Sequence, residues 1–230
     1  MQATHAKSDV AASIDVATAM ASPRPSTQDR VIVHRLEERL VIVVADGAGG
    51  ISGGAEAADA VCMLVDDALK HRSFDPMSAG NWVELLREAD VALERDAVCG
   101  ETTAIVAAVS ERHGIVGASA GDSKAIVIED EKNPLPADDL TEHQRKMRIG
   151  SGMAAPVQFH RRRLRGRLLV ATDGLFICAT WPEIARAAMA GKDLGASARG
   201  LVELARMPAE FLADDVAIAL VGWTAGRPLV

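Results

Sequence analysis

A chain of 230 residues, nearly half of them hydrophobic, can build one sizeable core, which excludes a disordered protein. A net charge of −7 argues against broad affinity for nucleic acid, and no apolar run approaches the length of a membrane span. Aromatics are scarce and tyrosine is absent, so the core must be aliphatic; Cys62, Cys99 and Cys178 have no metal-ligand spacing and suit a reducing cytoplasm.

Residues 1–12 are mixed and polar, without the apolar stretch of a signal peptide, and are expected to be poorly ordered or an edge strand. Residues 14–20 alternate weakly and read as a strand. Pro23 and Pro25 make 22–28 an extended loop. Residues 31–33 and 40–45 are β-branched apolar runs joined across Glu37-Glu38-Arg39, which predicts a hairpin whose second strand is fully buried. Asp46 ends that strand, and Gly47, Gly49 and Gly50 follow. A carboxylate leaving a buried strand is costly unless a cation pairs with it, and glycines let the backbone approach such a partner. The alternative is a tight Asp-Gly turn facing water.

Residues 54–71 carry Val61, Leu64, Val65, Ala68 and Leu69 at helical spacing, and Asn81 is expected to cap a second amphipathic helix containing Trp82, Leu86 and Leu93. Residues 102–109, 115–120 and 124–128 read as a meander of antiparallel strands, interrupted by Gly121-Asp122-Ser123. Residues 129–139 predict an acidic surface loop, and 147–156, rich in glycine and alanine, a mobile one. Five arginines within 160–167 either line an exposed strand or hairpin or form a cationic wall for a phosphorylated partner. Residues 168–172 repeat the buried-strand pattern and run into Asp173-Gly174. Pro182 opens a short helix, 195–207 form another, and Asp214-Asp215 stands before the apolar run 216–221.

Three apolar strands therefore carry an aspartate at one end. Carboxylates gathered at strand ends form an oxygen-rich pocket for a hard divalent cation, Mg2+ or Mn2+. No repeat or linker divides residues 1–230, which are expected to form one domain. Strands joined by hairpins, with helices in pairs, predict an α+β fold with antiparallel sheets rather than βαβ units.

With these residues in view, 24–221 resemble the metal-dependent protein phosphatases of the 2C family. Asp46-Gly47-Ala48-Gly49-Gly50 is similar to that family's Asp-Gly-x-Gly-Gly metal motif, and Gly100-Glu101-Thr102-Thr103 to its Thr-Thr strand opening. Gly121-Asp122-Ser123-Lys124-Ala125 resembles Gly-Asp-Ser-Arg-Ala, and Leu140-Thr141-Glu142-His143 a shortened Leu-Thr-x-Asp-His. Ala171-Thr172-Asp173-Gly174-Leu175 and Asp214-Asp215 are similar to the last two motifs, in the family's order.

The resemblance implies a four-layer αββα sandwich of two antiparallel sheets flanked by helix pairs. It implies two Mn2+ or Mg2+ ions, with a third at a looser site. By residue match, Asp46 bridges the ions, Gly47 adds its carbonyl, Asp173 and Asp214 complete the first metal, Asp215 ranks behind Asp214, and Asp122 serves the third. Arg24, in a segment resembling Arg-x-x-Asn-Glu-Asp, matches the phosphate-binding arginine. Gln28 stands where the family usually has Glu beside the second metal. Ile177 replaces another aspartate of many members, and the short stretch before residue 168 leaves the family's flap reduced or absent. Neither His34 nor His143 is placed as the acid.

The function implied is metal-dependent hydrolysis of phosphoserine and phosphothreonine in proteins, with Asp46, Asp173 and Asp214 as the catalytic residues. It belongs to cytoplasmic signalling opposite a serine/threonine kinase, with that kinase or its targets as partners and neither nucleic acid nor membrane. The alternatives are a pseudophosphatase that binds a phosphoprotein without turnover, and a phosphatase of another phosphomonoester.

Overall fold

The computed structural model describes residues 13–48, 53–129, 138–191, 193–206 and 211–223. Gly49 and Gly50, the N-terminal 1–12 and most of the acidic loop lie outside them. In chain order the elements are β1 (Ile14–Ala21), β2 (Asp29–Leu36), β3 (Arg39–Ala48), α1 (Gly54–Lys70), α2 (Ala79–Glu94), β4 (Glu101–Thr102), β5 (Ala104–Ser110), β6 (Gly114–Ala120), β7 (Lys124–Ile128), β8 (Asp138–Asp139), β9 (Val157–Arg161), β10 (Arg167–Ala171), α3 (Gly174–Cys178), α4 (Trp181–Ala190), α5 (Leu194–Leu204) and β11 (Val216–Trp223).

Two antiparallel sheets result. One has the order β1-β11-β10-β7-β8, the other β2-β3-β5-β6-β9 with β4 on the end of β3. Side-chain alternation explains why central strands are apolar on both faces. In β3, Leu40, Ile42 and Val44 meet Val127, Leu168, Val170 and Val221 of the opposite sheet. Val41 and Val43 point the other way, into a core with Val61, Trp82 and Leu86 of α1 and α2. Leu169, Ile218 and Leu220 do the same toward Ile184 and Leu201 of α4 and α5. Both faces of each sheet are thus covered, and an unbroken apolar run is the sequence of such a strand. The arrangement is the expected αββα sandwich.

Three local expectations change. Ser78, not Asn81, is the N-cap of α2; Asn81 sits in the first turn and its side-chain amide donates to the Asp75 carbonyl at 3.1 Å. Strands β6 and β7 are not neighbours in a meander: they lie in different sheets, and Gly121-Asp122-Ser123 crosses between them. A short helix, α3, begins directly after Asp173.

Candidate metal centre

The crossing just described lies at one end of the sandwich, where several strands begin or stop. Asp46 is near the end of β3, Asp122 follows β6, Asp173 follows β10, and Asp29 opens β2 opposite Asp46 in register. Asp46, Asp122 and Asp173 each offer one carboxylate oxygen, and these oxygens all lie within 4.8 Å of one another. Among the described residues no lysine or arginine forms an ion pair with any of the three. Asp122 Oδ1 is buried without a hydrogen-bond partner. Three converging acids, one carrying an orphaned buried oxygen, are the donor set of a hard cation, so the residues fit Mg2+ or Mn2+.

The electrostatics agree. Burial, then the charges of Asp173 and Asp214, push the Asp46 carboxyl up to about 7. Burial and the Asp122 and Asp214 charges raise Asp173, while the Arg148 cation pulls it back. Asp29 is 1% exposed, and burial together with the Asp46 and Asp215 charges pushes it to about 9. Asp29 and Asp46 face each other in register, and burial with the neighbouring acidic charges raises both.

The motif residues around the acids hold the backbone. The Asp46 amide donates to Thr103 Oγ1 at 3.0 Å, the Thr103 amide returns to the Asp46 carbonyl at 2.8 Å, and Thr102 Oγ1 donates to that same carbonyl at 3.0 Å. Thr103 Oγ1 also meets Ser123 Oγ at 2.7 Å, tying the crossing to β5. Thr172 Oγ1 donates to Asp29 Oδ2 at 2.8 Å and accepts from the Ala217 amide at 2.9 Å, so one hydroxyl joins the two sheets. Gly47 must lack a side chain: a Cβ there would stand 2.3 Å from the Gly54 carbonyl oxygen.

Asp214 and Asp215 behave differently from each other. Asp214 lies outside the three-acid group and pairs with Arg24 at 3.2 Å. Asp215 is 2% exposed. Burial works against its charge, but Ser22 Oγ at 2.5 Å, the Gln28 amide at 2.7 Å and Arg24 at 3.0 Å hold its carboxyl below the usual range. Asp215 is therefore fully engaged in fastening the 22–28 segment. Gln28 is held through its backbone on both sides, its carbonyl accepting from the Gly47 amide at 3.3 Å. His34 lies 3.9 Å from Asp66 of α1, His143 is exposed, and Ile177 is exposed on α3; none joins the acids.

Four contributors escaped the sequence reading. Asp29 had a signal, since it opens an apolar strand just as Asp215 does. Thr172 had none beyond its place in a motif. Asp90 of α2, 4% exposed, accepts from the amides of Gly150, Gly152 and Ala154 at 2.8, 3.1 and 3.0 Å. The stretch expected to be mobile is thus hydrogen-bonded to a buried carboxylate, and Ile149 within it pairs with Thr102. That anchorage places Arg148, whose Nε is buried without a partner, where its charge acts on Asp173.

A family profile described as protein phosphatase 2C matches residues 23–207. Among solved structures, the fold is similar to a bacterial serine phosphatase carrying an arginine-to-glutamate substitution, at 22% identity over 90% of this chain and 97% of that one, with a TM-score of 0.76. It is similar to the PPM Ser-Thr phosphatase MsPP from Mycobacterium smegmatis in complex with cacodylate, at 21% identity over 91% and 98% of the two chains, TM-score 0.68. It is similar also to the catalytic domain of the phosphatase PstP in complex with two manganese ions, at 16% identity over 93% and 99%, TM-score 0.66. No curated protein matches the chain.

Proposed function

Because the chain belongs to the protein phosphatase 2C family, we propose that it hydrolyses phosphoserine and phosphothreonine in proteins, with divalent metal held at the strand-end aspartates. The observation that carries this reading is the convergence of Asp46, Asp122 and Asp173 within 4.8 Å, with none of the three in an ion pair with a described lysine or arginine. Asp214 would join this set on leaving Arg24, and Gly47 would add its carbonyl. The catalytic domain of PstP, in complex with two manganese ions, supports a two-ion reading. Divalent cations bound there supply a nucleophile from water at neutral pH and offset charge on the phosphoryl oxygens. Arg24 then grips the phosphate through its two parallel N–H donors. Asp29, opposite Asp46 in register and raised by burial, would help to position that carboxylate. Thr102 and Thr103 fix its backbone. Burial pushes the Cys62 thiol up to about 12 and also raises Cys99, so neither is poised as a thiolate nucleophile.

We assign residues 1–230 to a single phosphatase domain that works in the cytoplasm opposite a kinase. A second reading, a phosphoprotein-binding pseudophosphatase, is favoured by one observation: Arg24 is already engaged by Asp214 and Asp215. Hydrolysis of an aryl phosphate and of a phosphothreonine peptide, with Mn2+ and with chelator, separates the two. Turnover that needs millimolar metal supports the enzyme; phosphopeptide binding without turnover at any metal concentration supports the binding module.

A further inference from the structure

The arginines of the β9–β10 connection are not used by the aspartate end of the sandwich. Strand β9 pairs with β6 and β10 with β7 and β11, so residues 162–166 cross between the sheets at the opposite end. There they border a cleft of about 1020 Å³, lined among the described residues by five arginines and His113 against two carboxylates, Glu129 and Asp138. Both carboxylates are taken by one arginine, Arg161. Arg162, Arg163 and Arg165 are exposed, and their side chains make no ion pair or hydrogen bond with any described residue. Arg112, on the β5–β6 turn, reaches only the exposed Glu38, at 3.6 Å.

The backbone that carries them is pinned. Leu164 is buried, and its carbonyl accepts from Trp223 Nε1 at 3.2 Å. Gly166, at φ +71°, lies so close to β7 that a Cβ would stand 2.0 Å from the Ile128 carbonyl oxygen. Gly114, at φ +76°, packs equally close to Arg161 and Arg162. A protein of net charge −7 thus presents an open cationic surface on which Arg162, Arg163 and Arg165 are unpaired among the described residues. Their mutual repulsion is a standing cost that an anion relieves. The exposed arginines come from two connections, Arg112 from β5–β6 and Arg162, Arg163 and Arg165 from β9–β10, and an open site with separate charges suits several single charges on an extended chain better than one enclosed phosphate.

We propose that this cleft docks an acidic, extended segment of the phosphoprotein substrate, remote from its phosphorylated residue. The role rests on the phosphatase reading of the other end. Strands of seven residues set the two ends about 20 Å apart, so at least about six extended residues must separate the acidic tract from the phosphate. Docking raises the substrate's effective concentration at the aspartates without touching the chemistry.

Fluorescence anisotropy with a labelled, phosphate-free Glu/Asp octapeptide tests the surface itself. Wild type is expected to bind it, with affinity falling as salt rises. The triple variant Arg162→Glu/Arg163→Glu/Arg165→Glu, and separately the milder Arg163→Ala/Arg165→Ala, should bind at least about tenfold more weakly with an unchanged circular dichroism spectrum. Equal binding by wild type and either folded variant overturns the proposal. So does binding of an oligonucleotide, or of inorganic phosphate, in place of the peptide. The kinetic arm compares phosphothreonine peptides with and without an acidic tract eight residues away: the tract should lower KM in wild type but not in the variants, while aryl phosphate hydrolysis stays the same in all. An absence of turnover everywhere would reject the phosphatase reading and leave the anisotropy result to decide the cleft.

Discussion

Asp46 sits in the field of Asp173 and Asp214 with its carboxyl pushed up to about 7, so its charge is carried at a cost to the fold. Asp46→Asn removes that cost along with a proposed metal ligand. Turnover should fall by two orders of magnitude or more, stability in chelator should hold or rise, and stabilisation by added Mn2+ should shrink. Thermal melts of both proteins with and without Mn2+ check this; equal Mn2+ shifts would take Asp46 out of the site. Arg24 presents a different problem, because it binds Asp214 and Asp215 in the same place where it is argued to grip phosphate. Asp215 keeps two other donors, Ser22 and the Gln28 amide, and can release the guanidinium at small cost. Asp214 needs another cation to replace it. Arg24→Ala should therefore raise KM and lower kcat for a phosphopeptide, since the contact acts in ground and transition states alike. It should also lower the Mn2+ concentration for half-maximal activity, because Asp214 no longer has a competing partner. Unaltered kinetics on both counts would mean that Arg24 does no more than fasten its own loop.

Between residues and sheets, the α2 helix and the 148–154 segment form the least anticipated unit. One buried carboxylate, Asp90, accepts three backbone amides from a stretch with no regular structure. Asp90→Ala strips all three and should cost about 2–4 kcal/mol, the scale of buried donors left unpaired. Asp90→Asn, which keeps one acceptor oxygen, should cost less. Urea unfolding measures both, and a loss below half a kilocalorie for the alanine variant would show that water replaces the carboxylate. The sequence hid this unit because glycine and alanine richness signals loop freedom, while the carboxylate that removes the freedom lies some 60 residues earlier. The same limit explains the mistaken meander. Runs 115–120 and 124–128 are indistinguishable from a hairpin by composition, and only the sandwich geometry separates them into two sheets. What could be read was short-range: apolar strand runs, strand-end aspartates, and helices with one apolar stripe. The partners of Asp215 and Asp29 could not be read, because they depend on which distant strand ends meet.

At the scale of the whole molecule, the buried acids make stability depend on pH in a defined sense. Asp29 and Asp46 titrate near 9 and 7 in the folded protein, above the unfolded value of 3.8. Between those values the folded state keeps protons that the unfolded state has lost, so stability in chelator should fall as pH rises from about 5 to 9. Mn2+, which displaces protons to bind, should flatten or reverse that trend. Melting temperatures across this window, with and without metal, measure it; a melting temperature that climbs with pH in chelator would contradict the buried-acid arrangement. The pairing of β1 with β11 carries a further consequence, for how the chain is made. Ser22 meets Asp215 across 193 residues, and among the described residues β1 finds its strand neighbour in β11. As the polypeptide leaves the ribosome, its first strand must wait, unpaired, for nearly the whole sequence to follow. Contacts that distant in sequence close slowly. In timed synthesis, protease resistance of the 14–29 region and the first catalytic turnover should therefore appear together, after β11 emerges.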